Sequence, residues 1–139
     1  MIQSDYLLKE IEKIGTILSA IRQKLFSGSD NLAITLERDI ENAKGQLLNA
    51  VNFDLDVFLS LDTEKSNEYI SNFEGFSNEN IECLADCLLE IGFSEKCENP
   101  KEYLEKALCL YQLCNLKSKT FSMEQEAKIR TIKALLSND

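Results

Sequence analysis

The stretch from Leu7 to Leu25, LLKEIEKIGTILSAIRQKL, decides the architecture. Leu7, Ile11, Ile14, Leu18, Ile21 and Leu25 are separated by steps of four, three, four, three and four residues. Alternating steps of this kind hold all six side chains on one stripe of an α-helix, as in a heptad seam. Leu8 and Ile17 widen the stripe, and the spacing predicts a helix from about Ser4 or Asp5 to Leu25. Ala33, Leu36, Ile40, Ala43, Leu47 and Ala50 repeat the rhythm and predict a second helix from about Asn31 to Val51. Its alternating alanines let a bulky neighbour approach closely, while Gly45 weakens it by about 1 kcal/mol relative to alanine. Phe26-Ser27-Gly28-Ser29-Asp30 is a turn signal, with Gly28 free to take φ > 0 and Ser29 or Asp30 placed as a cap. So short a connection predicts an antiparallel hairpin over residues 1–52.

Residues 53–77 are less regular. Phe53-Asp54-Leu55-Asp56-Val57 alternates like a strand, but no second strand is available to pair with it. Val57, Phe58 and Leu61 have helical spacing, so a short helix is expected. Asp62 or Thr63 can cap another, carrying Tyr69, Ile70 and Phe73, which Glu74-Gly75-Phe76-Ser77 ends. From 78 to 139 the signals sharpen into repeat-like helices. Ser77 or Asn78 caps a helix with Ile81, Leu84, Ala85, Leu88 and Ile91 on one stripe and Gly92 as its stop. Asn99, Pro100 and Glu102 stand at the N-cap, first and third positions of the next helix, with Leu104, Ala107, Leu108, Tyr111 and Cys114 on one face. That helix gives way near Ser118. Ser122-Met123-Glu124-Gln125 is a second capping box, opening a last helix with Ile129, Ile132 and Leu136. The expected fold is therefore all-α, one continuous domain of about six or seven helices.

Composition supports this and narrows the function. The chain has 139 residues, with one proline and five glycines, so its segments run long and uninterrupted. Its net charge of −9 and pI near 4.6 argue against a nucleic-acid partner, which needs clustered Lys and Arg. The densest basic stretch, Lys117, Lys119, Lys128, Arg130 and Lys133, is interleaved with Glu124 and Glu126 and is expected to be a solvated helix face. Histidine is absent, so neither a Ser-His-Asp nor a Cys-His nucleophile can be assembled. No apolar run approaches the ~18 residues of a membrane span, and no secretory signal is visible at Met1–Tyr6. A cytoplasmic location is expected, with the five cysteines as reduced thiols.

Cys83, Cys87, Cys97, Cys109 and Cys114 are the only candidate site. Cys83 and Cys87 are four apart on one helix, so their sulfurs can converge. Four thiolates can hold zinc tetrahedrally, but no CxxC occurs, and Cys87 and Cys114 fall on or beside apolar stripes, where cysteine packs as a small hydrophobe. No metal or cofactor is expected. Asp54, Asp56, Asp62 and Glu64 lack the glycine and ligand spacing of a calcium loop and are expected to be caps and solvated positions. No phosphate-binding glycine pattern is present.

Ile81, Leu84, Ala85 and Leu88 stand at the Trp-x2-Leu-Gly-x2-Tyr spacing, Gly92 falls at the inter-helix turn, and Pro100, Leu104 and Ala107 follow with about three extra residues in that turn. On these residues, 81–107 resembles one tetratricopeptide unit. Ile81 replaces the family's aromatic, Pro100 its alanine, the closing proline is missing, and in the next unit Lys133 falls where a small residue belongs. The chain as a whole is similar to small, acidic, all-helical bacterial proteins of unassigned function, in which a helical hairpin precedes a phrase like Phe53–Leu61 and a repeat-like tail. Helical hairpins with open grooves bind peptides or partner helices. The expected function is a non-catalytic protein-interaction or scaffolding module. The alternatives are a self-associating structural protein, pairing as a homodimer through the first helix, and a thiol or metal site at Cys83 and Cys87.

Overall fold

A computed structural model describes residues 2–26, 33–118 and 122–137. Among these are seven α-helices and no strand: α1 (Ile2–Phe26), α2 (Ala33–Val51), α3 (Leu55–Ser60), α4 (Thr63–Ser71), α5 (Asn78–Phe93), α6 (Pro100–Ser118) and α7 (Met123–Ser137). The all-helical architecture follows the expectation. The turn expected over Ser27–Asp30 lies outside the described residues.

The seams are buried in register: Ile14, Leu18 and Ile21 on α1, and Ile40, Ala43 and Leu47 on α2. Their neighbours are not confined to each other. The most extensive interface joins α5 to α6, the next joins α1 to α5, and α1–α2 and α6–α7 are smaller. Thus α5 lies between α1 and α6, α2 attaches to α1, and α7 attaches to α6.

Local chemistry fixes the helix ends. α2 stops at Asn52, whose φ of 62° lies in the left-handed region that Asn tolerates better than most residues. Asn52 and Phe53 donate their N–H groups back to the Leu48 and Leu47 carbonyls at 3.0 and 3.2 Å. Asp54 caps α3 by accepting from the Val57 N–H at 3.2 Å, and Asp62 caps α4 by accepting from the Lys65 N–H at 2.8 Å. Ser77 caps α5 through the Asn80 N–H, and Ser122 accepts from the Gln125 N–H.

Three expectations need correction. Gly92 does not stop α5, which continues to Phe93. It is a point of close approach: a Cβ there would stand 2.7 Å from Leu104 Cδ2. The face of α3 that faces the core is Leu55, Phe58 and Leu59, while Val57 is exposed. On α6 the single face proves too narrow, because Tyr103, Lys106, Cys109, Leu110 and Leu113 are buried as well. An inner helix packed by several neighbours buries most of its circumference.

Phe53 organises the irregular middle. It is fully buried, with ring centroids of Phe58, Tyr69, Phe73 and Phe76 between 5.0 and 5.5 Å away. Such tilted and edge-on pairs add about 0.5–1.5 kcal/mol each beyond area burial. The Tyr69 hydroxyl also accepts the Asp54 N–H at 2.9 Å. Lys106 of α6, itself buried, donates to the Leu61 carbonyl and, at 2.7 Å, to Ser66 Oγ, holding the α3–α4 corner to the body.

Candidate functional site

Neighbours surround α5 on most sides, so a charge on it has to be paired within the fold. Asp86 is that charge. It is 7% exposed and sits between the buried Ala85 and Cys87. Its Oδ1 accepts from Lys128 Nζ of α7 at 2.9 Å and from the Tyr111 hydroxyl of α6. Its Oδ2 faces Arg22 Nη1 of α1 at 3.5 Å. One carboxylate therefore joins four helices. Burial, and then the hydrogen bond to Asp86, push the Tyr111 phenol well above its ordinary value. Lys128 Nζ also stands 5.5 Å from the centre of the Tyr111 ring. One turn before Asp86, Glu82 accepts from the Gln125 amide of α7. The Gln125 side chain is thus committed to α5, although its own N–H is capped by Ser122.

Sequence reasoning missed Asp86, and placed Lys128 on a solvated face when it turns inward. Chemically, the cluster pairs one carboxylate with two cations and a phenol. The arrangement fastens helices: Asp86 is buried and its oxygens are engaged.

The five cysteines are free. Cys87 points its thiol toward the Leu18 carbonyl at 3.6 Å, Cys109 toward Asn67 Oδ1 at 3.3 Å, Cys114 toward the Asn78 carbonyl at 3.5 Å, and Cys97 toward Asn99 Oδ1 at 3.9 Å. Burial pushes the Cys109 thiol up, and the Cys114 thiol up to about 11. Cys83 and Cys87 lie one turn apart on α5, and each shifts the other's ionisation, Cys83 downward and Cys87 upward. Among the described residues no group of three or more Cys, Asp or Glu side chains is placed to hold a metal ion. The acidic run resolves into two caps, Asp54 and Asp62, the exposed Glu64, and Asp56, which pairs with Lys44 at 2.8 Å.

Among the described residues, two large open grooves flank α1. One, of about 800 Å³, lies between α1 and α2 and is floored by Ile17, Ala20, Ile21, Ala43 and Ala50. The other, of about 770 Å³, lies between α1 and α5 and is lined in part by Ser19, Gln23, Asn80 and Cys83. Small side chains at Ala20, Ala43, Gly45 and Ala50 leave the first groove open. No described helix is long and apolar enough to cross a membrane. Comparison with family models, curated proteins and solved structures finds no match to this chain.

Proposed function

We propose that this chain is a non-catalytic protein-interaction module of the cytoplasm, and that it seats an amphipathic helix of another protein, flanked by Lys and Arg, in the α1–α2 groove. The observation that carries this reading is the groove itself: an apolar floor of alanines and isoleucines between two long helices, with two acids, Asp39 and Glu41, and one lysine, Lys24, among its lining residues. Helix-in-groove recognition uses such a floor for apolar anchors, and the rim charges select the partner. The net charge of −9 favours a basic partner over a second copy of this chain, which would bring the same excess of acid. The α5–α6 interface, the most extensive in the fold, supports treating the two as a tetratricopeptide-like hairpin, a scaffold on which α1 and α2 are carried.

Selection of helical peptides from a displayed library tests the reading. The winners are expected to be amphipathic, with basic flanks, and to bind at about micromolar Kd. Ala20→Trp fills the groove from an exposed position and is expected to weaken them about tenfold or more. An empty selection, or binders indifferent to Ala20→Trp, refutes the proposal. Sedimentation that finds a dimer disrupted by the same substitution would assign the groove to self-association instead.

A further inference from the structure

We propose that Cys83 and Cys87 are a peroxide-responsive thiol pair, in which Cys83 is oxidised first and Cys87 then closes an intrahelical disulfide. The inference is independent of what occupies the α1–α2 groove. It starts from placement. The two residues are one turn apart on α5, so their Cβ atoms stand about 5–6 Å from each other on one face. Cys83 is half-buried and lines the α1–α5 groove, open to a small oxidant. Cys87, one turn further along, is buried at 2% exposure, with its thiol toward the Leu18 carbonyl at 3.6 Å. A reactive thiol at an opening with a resolving thiol beside it is the arrangement that redox-responsive pairs require.

The groups around Cys83 favour its thiolate on balance. The neighbouring Cys87, with Arg22 and Ser19 of α1, favours that charge against burial and Asp86, and Cys83 is held below its ordinary thiol value. Cys87 is shifted the other way, by the neighbouring Cys83 and by burial. The remaining thiols are less suited. Cys109 and Cys114 are buried, and Cys97, though half-buried like Cys83, is pushed up by burial and by Glu102 and Glu98.

The chemistry balances with hydrogen peroxide as oxidant. The Cys83 thiolate attacks one peroxide oxygen. A sulfur–oxygen bond forms, the oxygen–oxygen bond breaks, and hydroxide leaves and takes up a proton as water. Cys83 is oxidised to the sulfenic acid and the peroxide is reduced. The Cys87 sulfur then displaces the hydroxyl from Cys83, forming the sulfur–sulfur bond and releasing a second water that carries away the Cys87 proton. A disulfide needs its Cβ atoms at about 3.5–4.5 Å, closer than one helical turn sets them. The bond is therefore strained, readily reduced, and suited to a reversible response. Its formation also withdraws Cys87 from the Leu18 carbonyl, so the α1–α5 contact loosens on oxidation.

The full chain treated with stoichiometric hydrogen peroxide, then unfolded, alkylated and mapped by mass spectrometry, decides the matter. The expected product is a Cys83–Cys87 peptide lighter by two hydrogens and unalkylated, with Cys97, Cys109 and Cys114 alkylated. Restoration by dithiothreitol is expected. In Cys87→Ala the Cys83 sulfenic acid is expected to accumulate and be trapped by dimedone. In Cys83→Ala oxidation of Cys87 is expected to slow about tenfold or more. Oxidation of Cys97 as fast as Cys83 in the wild-type chain, or a wild-type Cys83 sulfenic acid that persists without closing on Cys87, overturns the proposal without need of either variant.

Discussion

Replacing Asp86 removes the one group that four helices share. The attraction at stake is large before solvation is counted: unit charges at the 2.9 Å and 3.5 Å separations of Lys128 and Arg22 attract by about 5 kcal/mol each at an effective dielectric near 20. Most of that is offset by the desolvation of the three charged groups. The balance after mutation depends on what the two cations keep: Lys128 still has Glu124 Oε1 at 3.7 Å. The Arg22 side chain is 42% exposed and that of Lys128 23%, so both regain water when the carboxylate goes. The fully buried Tyr111 hydroxyl cannot, and an unsatisfied buried donor costs about 1–3 kcal/mol. Asp86→Ala is therefore expected to destabilise by about 3 kcal/mol, toward the lower end for breaking a buried pair. Asp86→Asn keeps an acceptor for Tyr111 and is expected to lose about 2 kcal/mol. Tyr111→Phe should lose about 1 kcal/mol, and its effect should shrink in the Asp86→Asn background, because the two groups share one bond. Urea unfolding at constant m-value measures all three. An Asp86→Asn chain within about 0.5 kcal/mol of wild type would refute the reasoning and make the cluster a bystander.

Gly45 and Gly92 are expected to respond with opposite sign to the same change. A Cβ at Gly45 meets nothing within 4 Å, so Gly45→Ala should stabilise by up to about 1 kcal/mol, whereas at Gly92 it would press on Leu104 and Gly92→Ala should destabilise by about 1–3 kcal/mol, both read by urea melts. Asn80 donates to the Ile11 and Gly75 carbonyls at 2.9 and 2.8 Å, so Asn80→Ala should destabilise by about 2 kcal/mol and raise hydrogen exchange in α1 around Ile11 and in the turn before α5. Burial, aided by Asp86 and opposed by Arg22, raises the Glu90 carboxyl. A raised folded-state value gives stability that is complete below the unfolded value of about 4.3 and lost as pH rises through the folded one. Glu90→Gln should therefore raise the thermal midpoint near pH ~7 and give no gain near pH ~3.

The rhythm of α1 and α2 was legible because helical period belongs to the backbone and needs no knowledge of the neighbour. The caps were legible for a similar reason: Asp62 and Ser77 act on N–H groups three residues away, within their own sequence window. The identity of each seam's partner was not legible. Asn80 reaches the Ile11 carbonyl and Cys87 faces the Leu18 carbonyl, each across 69 residues, and nothing in either local pattern specifies the other. The adjacency of Cys83 and Cys87 could be anticipated from their spacing on one helix. The groups that bias their chemistry, Ser19 and Arg22, arrive from α1.

Asp86 shows what a fuller reading of the pattern would have found. Between Ile81 and Ile91, apolar residues occupy 81, 83, 84, 85, 87, 88, 89 and 91. At 100° per residue these positions cover most of a helix circumference, well beyond a single stripe. A helix of that kind has little watery side to offer a carboxylate, so the acid at 86 must find cations on other elements. Helix α7, by contrast, keeps a solvent face: Ile129 and Ile132 are buried, Leu136 is partly buried, and Arg130 and Lys133 are exposed. Its one inward cation, Lys128, is the one the carboxylate on α5 requires. Apolar coverage around the axis, more than the stripe itself, thus separates inner helices from outer ones and turns an acid that looks ordinary in the sequence into the point where the fold is fastened.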